Sequence, residues 1–193
     1  PDLGHACGHN IIAGAAVGAA LALADTEDLT GTIRLYGTPA EEGGGGKVVM
    51  AQAGVFDDLD GTVYFHPSVR DDLYGPTLAC RMFDVIFQGR RAHVQLNPEE
   101  GRNALQGLMR ALCDMDRAAA ARPGLSRIGS VVTTGGKNPI IVTGEAKGEV
   151  LLSAETDDEC DELQAVFQNS IDKAVKETET KVTLNQTMNY PTV

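Results

Sequence analysis

A run of small residues near the start of the sequence most constrains how this chain can fold. Asn10 precedes the run and is a suitable N-cap, so we expect a helix from about Ile11 to Leu23. Because small side chains keep a helix surface close to its axis, this helix can lie close against a sheet. The small residues are Gly14, Ala15, Ala16, Gly18, Ala19 and Ala20.

Two short apolar segments follow, with a second helical segment between them. Thr32 to Tyr36 alternates like a strand and breaks at Pro39, and Lys47 to Gln52 indicates a short helix ended by Gly54. Thr62 to His66 predicts a buried strand ended by Pro67. The order strand, helix, strand predicts a partial α/β domain with a mostly parallel sheet.

The sequence after residue 77 has different periodicities. Alternation from Phe83 to Phe87 predicts a strand that ends at Gly89, and Ile128 to Thr134, Glu149 to Leu152 and Val182 to Gln186 are further strand candidates. Two segments have helical spacing, and Thr156 with Glu159 forms a capping box before the second. Their apolar positions are Leu105, Leu108, Leu112 and Met115, then Leu163, Phe167, Ile171 and Val175. The order β-α-β-β-α-β predicts a small ferredoxin-like α+β domain.

Composition excludes some functions. The 193 residues carry a net charge of -11 with no basic run, so we expect no nucleic-acid partner. The most apolar stretch, Ile11 to Ala24, is shorter than the roughly 20 residues that span a bilayer, so we expect no membrane association. Four widely spaced cysteines indicate a reducing, cytoplasmic location. The abrupt start at Pro1 and Asp2 leads us to expect an internal piece of a longer protein.

Three polar clusters carry the candidate chemistry. Cys7 and His9 flank a glycine before the first helix, and a thiolate and an imidazole at this spacing can bind one transition metal. Taken alone, such residues are more often packing or capping groups. Glu41 and Glu42 follow the first predicted strand, where an isolated acidic pair is usually part of a solvated loop. His66 ends the second predicted strand.

The joint placement of these clusters favours a metal site. Ligands of open α/β sheets bind beyond the carboxyl ends of the strands, and the three clusters occupy successive connections that should face one rim. A mixture of thiolate, imidazole and carboxylate suits zinc, with manganese or cobalt as alternatives.

The chain resembles the zinc-dependent aminoacylase and dipeptidase amidohydrolases, and within them the aminobenzoyl-glutamate hydrolase-like branch. The resemblance rests on GHACGHN, GTPAEEGGGGK, FDDLDGTVYFHP and FQGRRAHVQLNPEEGRNALQGL. It implies a zinc-binding α/β catalytic domain interrupted by a ferredoxin-like domain that forms a homodimer and acts as a lid. Residues 1–77 would be part of the first domain, and residues 78–193 would be the second.

The same resemblance implies residue roles. Cys7, His9, Glu42 and His66 would be ligands of two divalent metal ions per subunit, and Glu41 would be the general base. His93 would match the lid histidine that reaches a neighbouring active site and polarises the substrate carbonyl. The implied reaction is hydrolysis of an amide bond in an N-acyl amino acid, aminobenzoyl-glutamate or a dipeptide.

Several positions depart from the family pattern. The family's last metal-binding histidine lies beyond the lid domain, and no histidine follows His93 here. Asn138-Pro139-Ile140-Ile141 is a shuffled form of the family's Asn-x-Ile-Pro segment, and Ser153 stands near the position of an expected arginine. Without that last ligand and the strands that flank this stretch in the family, we expect the stretch by itself to bind metal poorly and to turn over nothing. Because of the shuffled segment and Ser153, the sequence does not predict how a substrate carboxylate is held.

Two alternative functions remain open. The altered positions are compatible with a non-catalytic homodimerisation or binding module that keeps the fold. A purely structural zinc site is disfavoured by Glu41 and Glu42, because structural zinc is usually enclosed by cysteine and histidine.

Overall fold

The computed structural model describes residues 4–69, 71, 73, 77–122 and 127–192. Contacts divide the chain into two compact units. The first unit comprises Pro1–Glu41 and Gly46–Gly75, and the second comprises Glu42–Gly45 and Pro76–Val193.

The first unit contains two helices among its described residues. Helix α1 spans His9–Ala24, and the alanine content of this segment favours a helix. The predicted cap is wrong: Gly8 is the N-cap, Asn10 lies inside the helix, and no side chain caps the first turn. Helix α2 spans Gly46–Gln52, one residue longer than predicted, and ends with a bond from Val55 N–H to the Met50 carbonyl.

The parallel sheet predicted for this region is absent from the part of the chain that the structure describes. Residues 32–36 and 62–66 are extended or irregular and pair with no strand. The physical reason is that a strand needs a neighbouring backbone to complete its ladder, and no described segment supplies one. The first of these segments is held instead by side chains. Arg34 donates two hydrogen bonds of 2.7 Å to Asp58, and the Tyr36 ring meets Phe56 edge-on.

The second unit is a four-stranded antiparallel sheet with two long helices. Its elements are β1 Ala79–Gln88, α3 Ala104–Ala120, β2 Arg127–Thr134, β3 Glu145–Ala154, α4 Asp157–Thr178 and β4 Lys181–Tyr190. The strand order in the sheet is β2-β3-β1-β4. The β-α-β-β-α-β order of the elements is the predicted one.

The core of the second unit lies between the sheet and the helices. Alternate residues Phe83, Val85 and Phe87 of β1 are buried, which confirms the period-two prediction. Leu108 and Met115 of α3 are also buried. The Phe83 and Phe167 rings pack with centroids 5.3 Å apart, which brings α4 onto β1.

Both long helices of this unit begin at capping side chains. The Asn103 side chain accepts the Gln106 N–H at the start of α3, and the Thr156 hydroxyl accepts the Glu159 N–H at the start of α4. The predicted capping box is half formed, because the Glu159 carboxylate accepts from Glu155 N–H rather than from Thr156. Among the helices that the structure describes, no stretch is both long and apolar enough to span a membrane.

Candidate metal centre

A tight turn presents Cys7 and His9 at the beginning of α1. Gly8 adopts the left-handed conformation, with φ 68° and ψ 28°, and its carbonyl accepts the N–H groups of Ile11 and Ile12. A residue with a side chain adopts this conformation at a cost of about 1–2 kcal/mol. Glycine therefore lets the chain reverse between the two candidate ligands.

A second constraint on Gly8 comes from the segment that carries His66. A Cβ atom added at Gly8 would lie 3.0 Å from Cγ of Pro67, closer than most carbon contacts allow. The turn before α1 and the His66-Pro67 segment thus approach each other so closely that a side chain larger than hydrogen at Gly8 would require Pro67 to shift. This approach brings His66 beside Cys7 and His9.

The three side chains form a candidate ligand set. One ligand atom each from Cys7, His9 and His66 lies within 4.8 Å of the other two. Nδ1 of His66 is 2.8 Å from the Pro67 carbonyl oxygen, which can only accept a hydrogen bond. Nδ1 therefore donates this hydrogen bond, and in the neutral ring the lone pair then lies on Nε2, an arrangement common among metal-binding histidines.

This donor set fits a zinc ion. Zinc binds thiolate and imidazole at about 2.0–2.3 Å, so neighbouring ligand atoms of a tetrahedral site are roughly 3.3–3.8 Å apart. The 4.8 Å limit on the three atoms is compatible with closure around one ion after small side-chain rotations. Three protein ligands would leave one position of a tetrahedral ion for water or substrate.

Glu41 lies beside the candidate ligands. Its Oε2 atom is 3.4 Å from Nε2 of His9, and both side chains are partly exposed. At Gly46, the last glycine of the run after the acidic pair, a side chain is sterically excluded. An added Cβ there would lie 1.9 Å from the Pro39 carbonyl oxygen. The chain therefore folds back on itself around the loop that carries Glu41.

Two predicted site residues belong to the second unit. Glu42 is exposed and opens the short segment 42–45 that clusters with that unit. His93 is half-buried in the connection between β1 and α3, where it forms an isolated antiparallel bridge with Ile141.

The positions that depart from the family pattern have structural roles in the second unit. Ser153 on β3 is 5% exposed, and its hydroxyl oxygen accepts a 3.3 Å hydrogen bond from the Cys80 thiol. The Asn138 side chain accepts the Ile140 N–H, which makes a local turn.

Comparison with known proteins places these motifs in a family. Residues 2–188, nearly the whole chain, match the family described as Peptidase family M20/M25/M40. The chain belongs to this family. The resemblance inferred from the four sequence motifs is thereby confirmed.

Relatives within the M20/M25/M40 family include several hydrolases. The chain is 37% identical over 147 residues to the Xaa-Arg dipeptidase of Mus musculus, an alignment that covers 74% of this chain and 34% of that protein. It is 34% identical over 167 residues to the indole-3-acetyl-aspartic acid hydrolase of Enterobacter agglomerans, covering 82% and 38%. The chain thus spans little more than a third of the length of these relatives.

A third relative matches over a shorter stretch. The chain is 40% identical over 109 residues to a component of the p-aminobenzoyl-glutamate hydrolase of Escherichia coli, covering 54% of this chain and 23% of that protein. The three named relatives are all hydrolases.

Solved structures share the fold of part of this chain. The aminobenzoyl-glutamate utilization protein from Klebsiella pneumoniae superposes with a TM-score of 0.53 at 25% identity, over 60% of this chain and 29% of that one. A hydantoinase/carbamoylase family amidase from Burkholderia multivorans superposes with a TM-score of 0.56 at 17% identity over the same shares, which shows the fold alone.

Sequence reasoning missed two residues that hold candidate site histidines. One is Pro67, whose carbonyl fixes the His66 ring and whose side chain abuts Gly8. No sequence signal indicates this contact. The other is Asn97, whose side chain accepts the His93 N–H. The Asn-Pro pair four residues after the histidine is a turn signal that points to it.

Proposed function

We propose that this chain is part of a metal-dependent amidohydrolase that cleaves the amide bond of an N-acyl amino acid, aminobenzoyl-glutamate or a dipeptide. The observation that carries the proposal is the convergence of Cys7, His9 and His66, with Glu41 beside His9. A metal ligand set with an adjacent carboxylate is the arrangement that hydrolysis by activated water requires. The family relationship and the substrates named for the relatives are consistent with it.

The proposal includes two divalent ions per subunit, with zinc favoured and manganese or cobalt as alternatives. Cys7, His9, Glu42 and His66 would hold them, and the last ligand would come from outside this stretch. When bound, such ions supply polarisation of the substrate carbonyl and acidification of a water molecule.

Glu41 moves the proton in this scheme. Its carboxylate accepts a proton from the attacking water and returns it to the nitrogen of the leaving amine, so that the carboxylate is regenerated in each cycle. Glu41 must not be committed as a ligand, because its lone pairs are needed for this transfer. Two adjacent acids with different roles account for the Glu41-Glu42 pair.

His93 would stabilise the negative charge that develops on the substrate carbonyl oxygen. Residues 78–193 would form a ferredoxin-like dimerisation and lid domain, and His93 would serve the active site of the neighbouring subunit. Residues 1–77 would form part of the catalytic domain. A cytoplasmic location remains part of this proposal because the four cysteines are widely spaced in the sequence and include no CxxC pair.

The decisive variant is Glu41→Gln in the full-length protein. It keeps the side-chain volume but removes the proton acceptor, so kcat should fall by about 10²- to 10⁴-fold. Metal content, measured by elemental analysis, should not change. Glu27→Gln removes an exposed carboxylate that follows α1 and is the matched control. Retained turnover in Glu41→Gln would reject the role of Glu41.

The same preparation tests the alternative of a non-catalytic dimerisation module. A zinc-loaded wild-type protein that forms dimers, yet hydrolyses neither aminobenzoyl-glutamate nor any of a panel of dipeptides and N-acetyl amino acids, would favour that alternative.

A further inference from the structure

The backbone of His93 is held on one side by a neighbouring segment of the second unit. The N–H of Val94 donates to the Ile140 carbonyl at 2.9 Å, and the Ala92 carbonyl accepts from Val142 N–H at 2.9 Å. These bonds flank His93 in an antiparallel pairing. In such a pairing, the N–H and C=O of the residue between the bonds face the opposite side.

On that opposite side, one residue binds both backbone groups of His93. The side-chain Oδ1 of Asn97 accepts the His93 N–H at 2.9 Å, and the Asn97 N–H donates to the His93 carbonyl at 3.1 Å. Asn97 therefore acts in place of a second neighbouring strand. His93 is fixed from both sides although it lies in a loop.

Asn97 would ordinarily be expected to serve a different purpose. It precedes the short 3₁₀ turn Pro98–Glu100, and asparagine at such a position usually caps the following turn. Here the Asn97 side chain makes no capping bond. Its oxygen accepts the His93 N–H instead. The role of the Asn97 side chain is therefore its contact with His93 and not the capping of the turn.

The turn closed by Asn97 also orients the His93 ring. The N–H of Gln95 donates to Nδ1 of His93 at 3.2 Å. A backbone N–H can only donate, so Nδ1 must carry a lone pair and the proton of the neutral ring lies on Nε2. The ring therefore offers an Nε2–H donor, which is the group needed to stabilise a developing oxyanion.

We propose that Asn97 is a positioning residue for His93: it holds both backbone groups of His93 and closes the turn in which Gln95 N–H fixes the Nε2–H tautomer. The catalytic consequence rests on the role of His93 in the proposed function. The placement of the His93 ring does not depend on that role. The placement and its catalytic consequence are therefore tested by different measurements.

The first test measures placement without activity. Amide hydrogen exchange in the full-length protein should show the His93 N–H losing at least about tenfold protection in Asn97→Ala, because its acceptor is removed. The amides of Val94 and Val142 are internal controls, since their acceptors are the Ile140 and Ala92 carbonyls. Ring ¹⁵N spectra, assigned with His93→Ala, should show Nε2–H alone in the wild type and a mixture of tautomers in Asn97→Ala.

The second test is kinetic, with aminobenzoyl-glutamate or whichever dipeptide or N-acetyl amino acid the wild type hydrolyses. Asn97→Ala should lower kcat by about 10- to 100-fold through misplacement of the ring, with KM within about threefold. Asn97→Asp keeps an acceptor oxygen and should restore most of the loss. Asn185→Ala, at an exposed position of β4, is the matched control.

A double-mutant cycle decides whether Asn97 acts through His93. If it does, Asn97→Ala should cause no further loss in a His93→Ala background. An equal loss in both backgrounds, or failure of Asn97→Asp to restore kcat, would overturn the proposal. Unchanged exchange of the His93 amide in Asn97→Ala would overturn it as well.

The two proposals fail in distinguishable ways. If His93→Ala leaves kcat unchanged while Asn97→Ala releases the His93 amide and tautomer, the placement is supported and the proposed role of His93 is rejected. If the wild type hydrolyses no substrate of the panel, hydrogen exchange and ring ¹⁵N spectra still decide the role of Asn97.

Discussion

The two units of the chain differ in how they hold their residues in place. The second unit encloses a core of apolar side chains from β1, β3, α3 and α4, many of them fully buried. In the first unit, none of the described residues is buried, and α1 has no buried position along its 16 residues. Yet the first unit contains three candidate ligands and the candidate base.

This difference separates two ways of fixing a side chain. In the second unit, position follows from packing, so a residue is held by many weak contacts that the apolar pattern determines. In the first unit, the candidate site includes close and specific contacts. Among them are the approach of the left-handed Gly8 to Pro67 and the hydrogen bond between His66 and the Pro67 carbonyl.

The largest expected effect contrasts two phenylalanines. Phe167 is 2% exposed and packs on Phe83, so Phe167→Ala should destabilise the second unit by about 3–5 kcal/mol. Phe65 of the first unit is 44% exposed, and Phe65→Ala should cost far less. Amide hydrogen exchange of β1 and α4 measures the loss of stability in Phe167→Ala. Thermal unfolding compares the losses in the two variants. Equal losses would show that the first unit is packed as firmly as the second.

A second prediction concerns the close approach at Gly8. Gly8→Ala places a methyl group against Pro67 in a left-handed conformation, so the ligands should separate and zinc affinity should fall by about 10- to 100-fold. Gly14→Ala is the matched control, because an added Cβ there meets nothing within 4 Å. Competition with a chromophoric chelator measures the zinc affinity of both variants in the full-length protein. Unchanged affinity in Gly8→Ala would contradict the proposed geometry.

A third prediction tests local hydrogen bonding in the packed unit. Thr156→Ala removes the acceptor for Glu159 N–H and should destabilise the second unit by about 1 kcal/mol. Thr156→Ser keeps the hydroxyl and should cost less than half as much. Urea unfolding followed by circular dichroism compares them. A similar cost for both variants would mean that the methyl group, not the cap, matters here.

The smallest expected effect concerns the exposed Arg34–Asp58 pair of the first unit. The hydrogen bonds from Arg34 lower the pKa of the Asp58 carboxyl group. The pair therefore stabilises the folded chain above the ordinary aspartate pKa, and this contribution is lost as the pH falls through the lowered pKa. Arg34→Gln should raise the pKa of Asp58 toward its ordinary value in an NMR titration, with little change in stability because both side chains are exposed. An unmoved pKa would contradict the pairing.

The elements of the second unit were largely predictable. Phe83, Val85 and Phe87 alternate because one face of β1 is buried, and Leu163, Phe167 and Ile171 recur at helical spacing because one side of α4 is buried. Both patterns reflect which side chains are buried within this unit. The two strands predicted for the first unit were wrong, since an apolar segment becomes a strand only when another backbone pairs with it.

The candidate site was predictable in its residue types but not in its contacts. Cys7, His9 and His66 were named from their motifs, and the structure brings them together. The separate roles of Glu41 and Glu42 stay predictions. Nothing in the local sequence indicates that Pro67 abuts Gly8, because the two are far apart along the chain.

The sequence alone thus determined the family and the elements whose periodicity reflects their own burial, and it named the candidate ligands Cys7, His9 and His66. Tertiary structure decided which atoms face each other: Pro67 against Gly8, and Asn97 on both backbone groups of His93. The physical reason is that burial imprints a period on the sequence, whereas a single close contact or hydrogen bond between distant or looped residues leaves no repeated pattern to detect.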